Sequence, residues 1–353
     1  MEKNIAMSPR HVVLIFKKKM KQLRNLLFII LLPFMVHGGN YGDDFLLIGS
    51  TPQIVSLGQA VVALPRLPGG YLTNPSAIGG INTTSVFFMA ADQFSLANFY
   101  SIGLTKPLKR NWSGAVNLLS LSIDNIPVKP DLRGIFSIVN RRDLIREMSS
   151  NPYKTFNDRE TSLIFSFTRA NNFELDLGWQ FEKIALFAPT GINIKAIHKK
   201  FYNLEGFGIG VDLGSMINFK VSDVAGPDWL GEMTFGLAIR DIFGTILYWN
   251  TQHQDKIPQD LVLGVSYKQE FSGLPVNVLV TTQTSRRFPD NSRLGMEITI
   301  LDKVALRIGN DLGQLKGGMG ITIPVWGKSL SLDYSFFDHE LGKNHQLGVR
   351  FDF

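Results

Sequence analysis

The last ten residues, NHQLGVRFDF (Asn344–Phe353), decide the fold class because their polarity alternates up to the final residue. Leu347, Val349, Phe351 and Phe353 are apolar, and the residues between them are small, polar or charged. Successive side chains of a β-strand point to opposite faces of a sheet. The segment therefore predicts a strand with one apolar and one polar face, which a soluble sandwich and a membrane barrel both use.

The same alternation recurs from Thr83 to the C-terminus in segments of about ten residues. Fifteen such segments can be counted, one of them at Phe173–Phe181. Single-chain bacterial barrels have an even number of strands, so we expect fourteen, and Phe173–Phe181 is the first candidate for removal. The turns Leu301–Lys303 and Trp326–Lys328 are tight, and we expect longer loops at Asn310–Lys316 and Phe337–Asn344.

The N-terminal 38 residues have the pattern of a secretory signal peptide. Basic residues between Lys17 and Arg24 precede the apolar run Leu26–Val36, and small residues follow it. The run is too short for a spanning helix, which needs roughly 20 residues. The pattern is already complete from Met20, which is a possible true start.

The basic character of the chain is confined to this N-terminal segment. Lys and Arg number 36 and seven of them lie in residues 1–38; Asp and Glu number 30 and one lies there, so 29 of each remain. A neutral remainder argues against a nucleic-acid partner. The chain contains no cysteine, so no disulfide can form within it.

Export, repeated amphipathic strands and a terminal aromatic residue together favour an all-β, antiparallel transmembrane β-barrel in the outer membrane of a Gram-negative (diderm) bacterium. We assign residues 1–38 to the signal peptide, 39–82 to an N-terminal plug or hatch, and 83–353 to the barrel. The Gly- and Pro-rich plug segment is expected inside the lumen, because strand side chains alone cannot fill so wide a barrel.

The loop between Pro130 and Glu160 contains a predicted short helix at Asn140–Met148. Arg141, Arg142 and Arg146 on this helix are candidate contacts for an acidic partner, and a solvated charged face is the alternative explanation.

The search for catalytic chemistry finds no candidate. The six histidines lack paired metal-ligand spacing, and no nucleophile elbow or phosphate-binding motif occurs. The glycines of GFGIGVDLG (Gly206–Gly214) fall at period two inside a strand pattern, which indicates small lumen-facing residues or close strand packing rather than a phosphate loop. We expect no catalytic, cofactor-binding or metal-binding residue, and no enzymatic activity.

Several segments resemble the PorV/PorQ family of outer-membrane proteins. FLLIGSTPQIVSLGQAVVALPRLPGGYLTNPSAIGGI (Phe45–Ile81) is similar to the family's N-terminal segment, in which a Gly- and Ala-rich stretch leads to an Asn-Pro-Ala-Gly motif. Asn74, Pro75 and Ser76 match the start of that motif, whereas Ala77 replaces its glycine. Three further blocks resemble the family, namely Gly191–Gly214, Ile246–Tyr267 and Leu330–Phe353.

The resemblance implies a barrel like that of the FadL fatty-acid transporters, with fourteen strands and an N-terminal hatch. It also implies a role in type IX secretion, in which the barrel receives exported cargo and passes it to the surface attachment machinery. The terminal Phe351 and Phe353 resemble the signal that the outer-membrane insertion machinery reads.

Two functions therefore remain open. A partner-binding barrel would use outer-membrane lipid, secreted cargo and secretion-system components as its partners, with contacts in the loops Asp131–Glu160 and Phe243–Gln259, including Trp249 and Asn250. A FadL-like conduit would instead admit an apolar small molecule under a movable hatch. A third hypothesis is that the chain is an exported soluble β-protein.

Overall fold

The computed structural model describes residues 44–128, 132–150, 154–176, 178, 183–271 and 273–353. The predicted signal peptide, including Met20, and the first residues of the predicted plug lie outside this part of the chain.

In the part of the chain that the structure describes, eighteen strands, numbered in chain order, belong to one sheet. Fourteen of them form the barrel: β1 (Ser85–Gln93), β2 (Ala97–Pro107), β3 (Trp112–Pro127), β4 (Thr155–Arg169), β7 (Thr190–Phe201), β8 (Leu204–Lys220), β9 (Glu232–Arg240), β12 (Asp260–Glu270), β13 (Val276–Ser285), β14 (Phe288–Ile300), β15 (Val304–Asp311), β16 (Gln314–Val325), β17 (Lys328–His339) and β18 (Gly342–Asp352). The other four form two short hairpins: β5 (Asn172–Leu175) with β6 (Ile184–Phe187), and β10 (Thr245–Trp249) with β11 (Gln254–Ile257).

Each barrel strand pairs antiparallel with the next, and β18 closes the ring on β1, where Phe351 lies opposite Val86. The prediction of a closed fourteen-stranded barrel is confirmed. Within the described residues of the segment predicted as a strand at Phe173–Phe181, the only strand is β5, which pairs with β6 and does not cross the barrel.

Alternating side chains form the strands and separate two environments. On β9, for example, Thr234 and Ala238 are buried toward the lumen, whereas Phe235 and Leu237 point outward and are 47% and 40% exposed. Large apolar side chains are exposed in the same way on the outer faces of the other barrel strands. A water-soluble protein rarely exposes so continuous an apolar band, whereas a lipid-facing wall requires one. The protein is an outer-membrane β-barrel.

The two ends of the barrel are distinguished by where its termini lie. We call the end with Ser85 and Asp352 the termini rim, and the opposite end the far rim. The turns predicted to be long at Asn310–Lys316 and Phe337–Asn344 lie at the far rim and are tight, so that prediction was wrong. Ladder pairing continues to Asp311 opposite Gln314 and to His339 opposite Gly342, which leaves only two residues in each turn.

The remaining regular elements are short helices. Within the plug segment these are α1 (Pro52–Ser56) and three 3-10 turns (Asp44–Leu47, Gly70–Leu72, Pro75–Ile78); elsewhere they are α2 (Ile138–Ser150) and α3 (Ser222–Ala225). Helix α2 lies in the far-rim loop where the sequence predicts a helix. In the part of the chain that the structure describes, no helix has the length and apolarity needed to cross a membrane.

Candidate functional site: the plugged lumen and the far rim

The described plug segment, Asp44–Ile81, lies inside the barrel, and we call it the hatch. It begins near the far rim, where the Asp44 carboxylate lies 3.9 Å from Arg287. It ends near the termini rim, where Ile78 and Ile81 pack with Phe87 of β1 and Ala115 of β3. The hatch therefore extends along the height of the lumen.

Between these points the hatch follows the inner wall from strand to strand. Pro52 lies against β18, Ser56 against β16, Leu57 against β14 and β15, Val62 against β9 and β12, and Pro75 against β7. At each of these contacts the wall residue is a glycine. We call this set the glycine belt; it consists of Gly348, Gly318, Gly309, Gly295, Gly264, Gly236, Gly214 and Gly191.

The glycine belt lets hatch backbone touch wall backbone. A Cβ atom on Gly191 would lie 2.6 Å from the Pro75 carbonyl carbon, and one on Gly295 would lie closer still to the Leu57 carbonyl oxygen. Three belt pairs are direct cross-strand neighbours: Gly295 with Gly309, Gly236 with Gly264, and Gly191 with Gly214. Glycine is required here for close approach of two backbones.

Polar wall side chains bond the irregular hatch backbone. The carbonyl oxygens of Ala60, Ala63 and Tyr71 accept hydrogen bonds from Thr281 Oγ1 (2.6 Å), Ser266 Oγ (2.7 Å) and Asn193 Nδ2 (2.7 Å). The Val62 amide donates to Gln283 Oε1 at 3.0 Å. Buried backbone groups outside regular structure need such partners, so these bonds fix the hatch in one position.

The predicted hatch motif, Asn74, Pro75 and Ser76, is buried against β7 and β8. Asn74 caps the Pro75–Ile78 turn, since its Oδ1 accepts from the Ser76 amide at 3.0 Å and from Ser76 Oγ at 2.7 Å. Its Nδ2 donates to the Val62 carbonyl at 2.7 Å and to the Ser215 carbonyl at 3.3 Å. The motif thus joins two parts of the hatch and the wall.

An apolar layer surrounds the end of the hatch. Tyr71 is fully buried with Ile78, Phe87 and Ala115. Burial raises the pKa of the Tyr71 hydroxyl well above its usual value, because the ionised form would lack solvation. The side chain acts as an uncharged anchor.

The β10–β11 hairpin covers the lumen from the far rim. Its strand β10 pairs with the far-rim end of β8, where Leu247 lies opposite Gly208. Leu247 and Ile257 are buried in a cluster that includes Phe45 of the hatch and Leu119 of the wall. The hairpin therefore packs on the hatch and closes the lumen above it.

Beneath this hairpin lies a buried network of charged side chains. Lys195 Nζ bonds Asp212 Oδ1 at 2.9 Å and Asp241 Oδ2 at 2.8 Å, and Arg240 pairs with Asp260. The adjoining cavity is also lined by Leu46, Leu47 and Leu72 of the hatch. Its volume is about 30 Å³, which is the size of a single water molecule.

The far rim carries the predicted loop contacts. Arg141, Arg142 and Arg146 lie on helix α2 and are exposed to solvent. The same loop exposes apolar side chains, with Phe136 at 92% and Ile138 at 77%. Exposed apolar and cationic side chains therefore lie on the same loop.

Trp249 and Asn250 lie at the turn end of the β10–β11 hairpin, where β10 ends. Trp249 Nε1 donates to Asp255 Oδ2 at 2.8 Å, and Asn250 Nδ2 donates to the Asn203 carbonyl at 3.0 Å. Asn250 thus holds the hairpin to the β7–β8 turn, whereas the Trp249 side chain joins the two strands of the hairpin itself. The hydrogen bonds of Trp249 and Asn250 position the β10–β11 hairpin, and neither bond involves an arginine of α2.

At the opposite end, Phe351 and Phe353 pack edge to face with ring centroids 4.7 Å apart. The Phe353 amide donates to the Thr84 carbonyl at 2.8 Å, so the final residue extends the contact between the last and first strands.

No cluster of three or more metal-ligating side chains occurs among the described residues.

No family model and no curated protein sequence matches the chain. Solved structures of similar topology are outer-membrane proteins and channels. The CymD monoaromatic hydrocarbon channel is 12% identical, with 87% of this chain and 97% of that chain covered and a TM-score of 0.44. A deltaS2S3 mutant of the TodX monoaromatic hydrocarbon channel is 8% identical (86% and 98% covered, TM-score 0.43). Omp33 of Acinetobacter baumannii is 8% identical (77% and 98% covered, TM-score 0.37). At these values none of them bears on what this chain binds.

Proposed function

We propose that this protein is a non-enzymatic outer-membrane barrel that works with its lumen closed and binds exported protein partners at the far rim. The observation that carries the proposal is the docking of the hatch. Wall glycines contact the hatch at Pro52, Ser56, Leu57, Val62 and Pro75, and wall side chains bond the hatch backbone between them. A movable hatch would need to break most of these contacts together.

The far rim faces the cell exterior in this proposal, since barrels of this class keep their chain termini in the periplasm. Helix α2 then presents Arg141, Arg142 and Arg146, with Phe136 and Ile138 beside them, to a secreted protein. Apolar contacts would supply affinity, and the arginines would select an acidic surface. Delivery of cargo in type IX secretion, which the PorV/PorQ resemblance implies, is the specific form of this function that we favour.

A pull-down from detergent-solubilised outer membranes tests the proposal. We expect stoichiometric secreted proteins or secretion components to co-purify with the tagged barrel. Replacement of Arg141, Arg142 and Arg146 by Glu is expected to reduce this capture by roughly tenfold or more, because like charges then face an acidic partner.

The matched control places the same three substitutions at the opposite rim, at Lys106, Lys109 and Arg110, and should leave capture unchanged. Equal loss in both triple variants would contradict a far-rim site. Recovery of a bound apolar small molecule without any protein partner would instead favour the FadL-like conduit.

A further inference from the structure

The outer wall contains an apolar groove where β8, β9, β12 and β13 run side by side. Its volume is about 510 Å³, which lies within the range of roughly 300–1,000 Å³ typical of small-molecule sites. Its apolar lining side chains are Ile217, Phe235, Leu237, Leu263 and Val265. All lining residues lie on these four strands, so the groove is separate from the hatch and the lumen.

Two rows of outward-facing side chains form the sides of the groove. Phe235 has Ile217 and Val265 as its cross-strand neighbours, and Leu237 has Leu263. Between the rows runs wall backbone, including the paired glycines Gly236 and Gly264, which face the hatch at Val62 on the inner side. The groove therefore lies directly behind a hatch-docking point and crosses the strands rather than following one of them.

The groove lies at the height of the hydrocarbon core. Gly236 is the central residue of β9, whereas aromatic side chains such as Trp229 and Phe271 are exposed near the termini rim. Its polar members are three hydroxyl residues and Gln283, whose buried side chain bonds the hatch on the inner side. Of the hydroxyl groups, Thr282 Oγ1 already donates to the Arg293 carbonyl at 3.2 Å. A ligand here needs to be long, narrow and apolar, and needs no polar group.

We propose that this groove is a binding site for one acyl chain of an outer-membrane phospholipid. The lipid-facing band already places acyl chains against this wall, and the groove adds contact on two sides of a chain. A chain held between two rows of side chains buries more methylene groups than one resting on a flat wall, so it exchanges more slowly.

Native mass spectrometry tests the site after reconstitution of the full-length mature protein into phosphatidylethanolamine and phosphatidylglycerol vesicles and extraction with mild detergent. We expect about one phospholipid per barrel to be retained. Leu263→Trp fills the groove and is expected to lower the retention of phospholipid by roughly tenfold. Loss of contact with only a few methylene groups of the acyl chain is sufficient for a tenfold change in affinity.

Leu332→Trp is the matched control, because Leu263 and Leu332 are both 46% exposed on outer strand faces. Thr282→Trp fills the same groove from β13 and should behave as Leu263→Trp does. Heat-modifiable gel migration reports folding of each variant. Equal retention in the native chain, both groove variants and the control would overturn the proposal. A dimer of the barrel that Leu263→Trp dissociates would also overturn the proposal, because the groove would then hold a second copy of the protein rather than a lipid.

Discussion

At the scale of single residues, the glycine belt explains how an irregular segment is held inside a barrel. Belt positions allow no side chain, because a Cβ on Gly236 would meet the backbone of Val62 and Ala63. These positions alternate with lipid-facing residues such as Phe235 and Leu237. The same strand therefore places glycine on the face that contacts the hatch and large apolar side chains on the face that contacts lipid.

Gly236→Ala should displace the hatch locally and destabilise the folded protein by about 1–3 kcal/mol, the usual cost of overpacking. Chemical unfolding in detergent, followed by tryptophan fluorescence, measures the change. Gly114→Ala is the control, since a Cβ there first meets the flexible Leu108 side chain at 3.2 Å. A loss of stability for Gly114→Ala as large as that for Gly236→Ala would show that hatch contact is not the cause.

Asn74→Asp tests the hatch motif without a change of size. The new carboxylate would replace an amide nitrogen that now donates to the Val62 carbonyl at 2.7 Å, so a buried charge would face an acceptor at a cost of at least about 2 kcal/mol. We expect faster protease cleavage within the hatch. Asn82→Asp, at an exposed site just beyond the hatch, should have little effect.

The sequence predicts part of this residue-level picture. Lumen-facing small residues are visible in the strand periodicity, and Gly206–Gly214 was interpreted in that way from sequence alone. Of its glycines, Gly214 meets Asn74 of the hatch, whereas Gly208 meets the β10–β11 hairpin. Periodicity gives the face of a strand but not its contact across the lumen, so neither partner could be predicted.

At the scale of elements, the β10–β11 hairpin is the second closure of the lumen. Leu247→Ser should loosen it, because it removes a fully buried side chain at a local cost of about 2–5 kcal/mol. Hydrogen exchange of the amides from Thr245 to Ile257 measures this opening.

Tyr248→Ser is the matched control on the adjacent residue, whose side chain points outward and is 57% exposed. Its exchange rates should stay close to those of the native protein. Equal acceleration in both variants would mean that Leu247 does not anchor the hairpin in the lumen.

Elements differ in how well the sequence predicts them. Long strands with regular alternation, such as β14 and β17, were predicted because each has one lipid-facing and one polar face. The far-rim turns after Asp311 and His339 were predicted as long loops, since Gly and polar residues there resemble loop composition. Ladder pairing instead leaves two residues in each turn. In the turn after Asp311, Leu312 and Gly313 adopt the positive φ angles (54° and 96°) typical of a two-residue hairpin turn.

At the scale of the whole molecule, the hatch and the hairpin turn a wide barrel into a filled one. Sequence alone predicts a plug from the length and composition of residues 39–82, but not whether that plug moves. Mobility depends on contacts between residues far apart in the chain, such as Ala60 with Thr281 and Ser56 with Gly318. The closed state therefore becomes visible only in the folded structure.

The central claim is that the barrel works closed. The chain has no cysteine, so Ala60→Cys with Thr281→Cys introduces a single cysteine pair. The two residues are in contact across the hatch and the wall, since Thr281 Oγ1 lies 2.6 Å from the Ala60 carbonyl oxygen. A short bis-methanethiosulfonate crosslinker then joins the two thiols as mixed disulfides, with release of two methanesulfinate ions, and the same pull-down is repeated before and after crosslinking. We predict equal capture of protein partners in both states. Loss of partner capture on crosslinking, or uptake of an apolar molecule that only the uncrosslinked protein supports, would contradict the account.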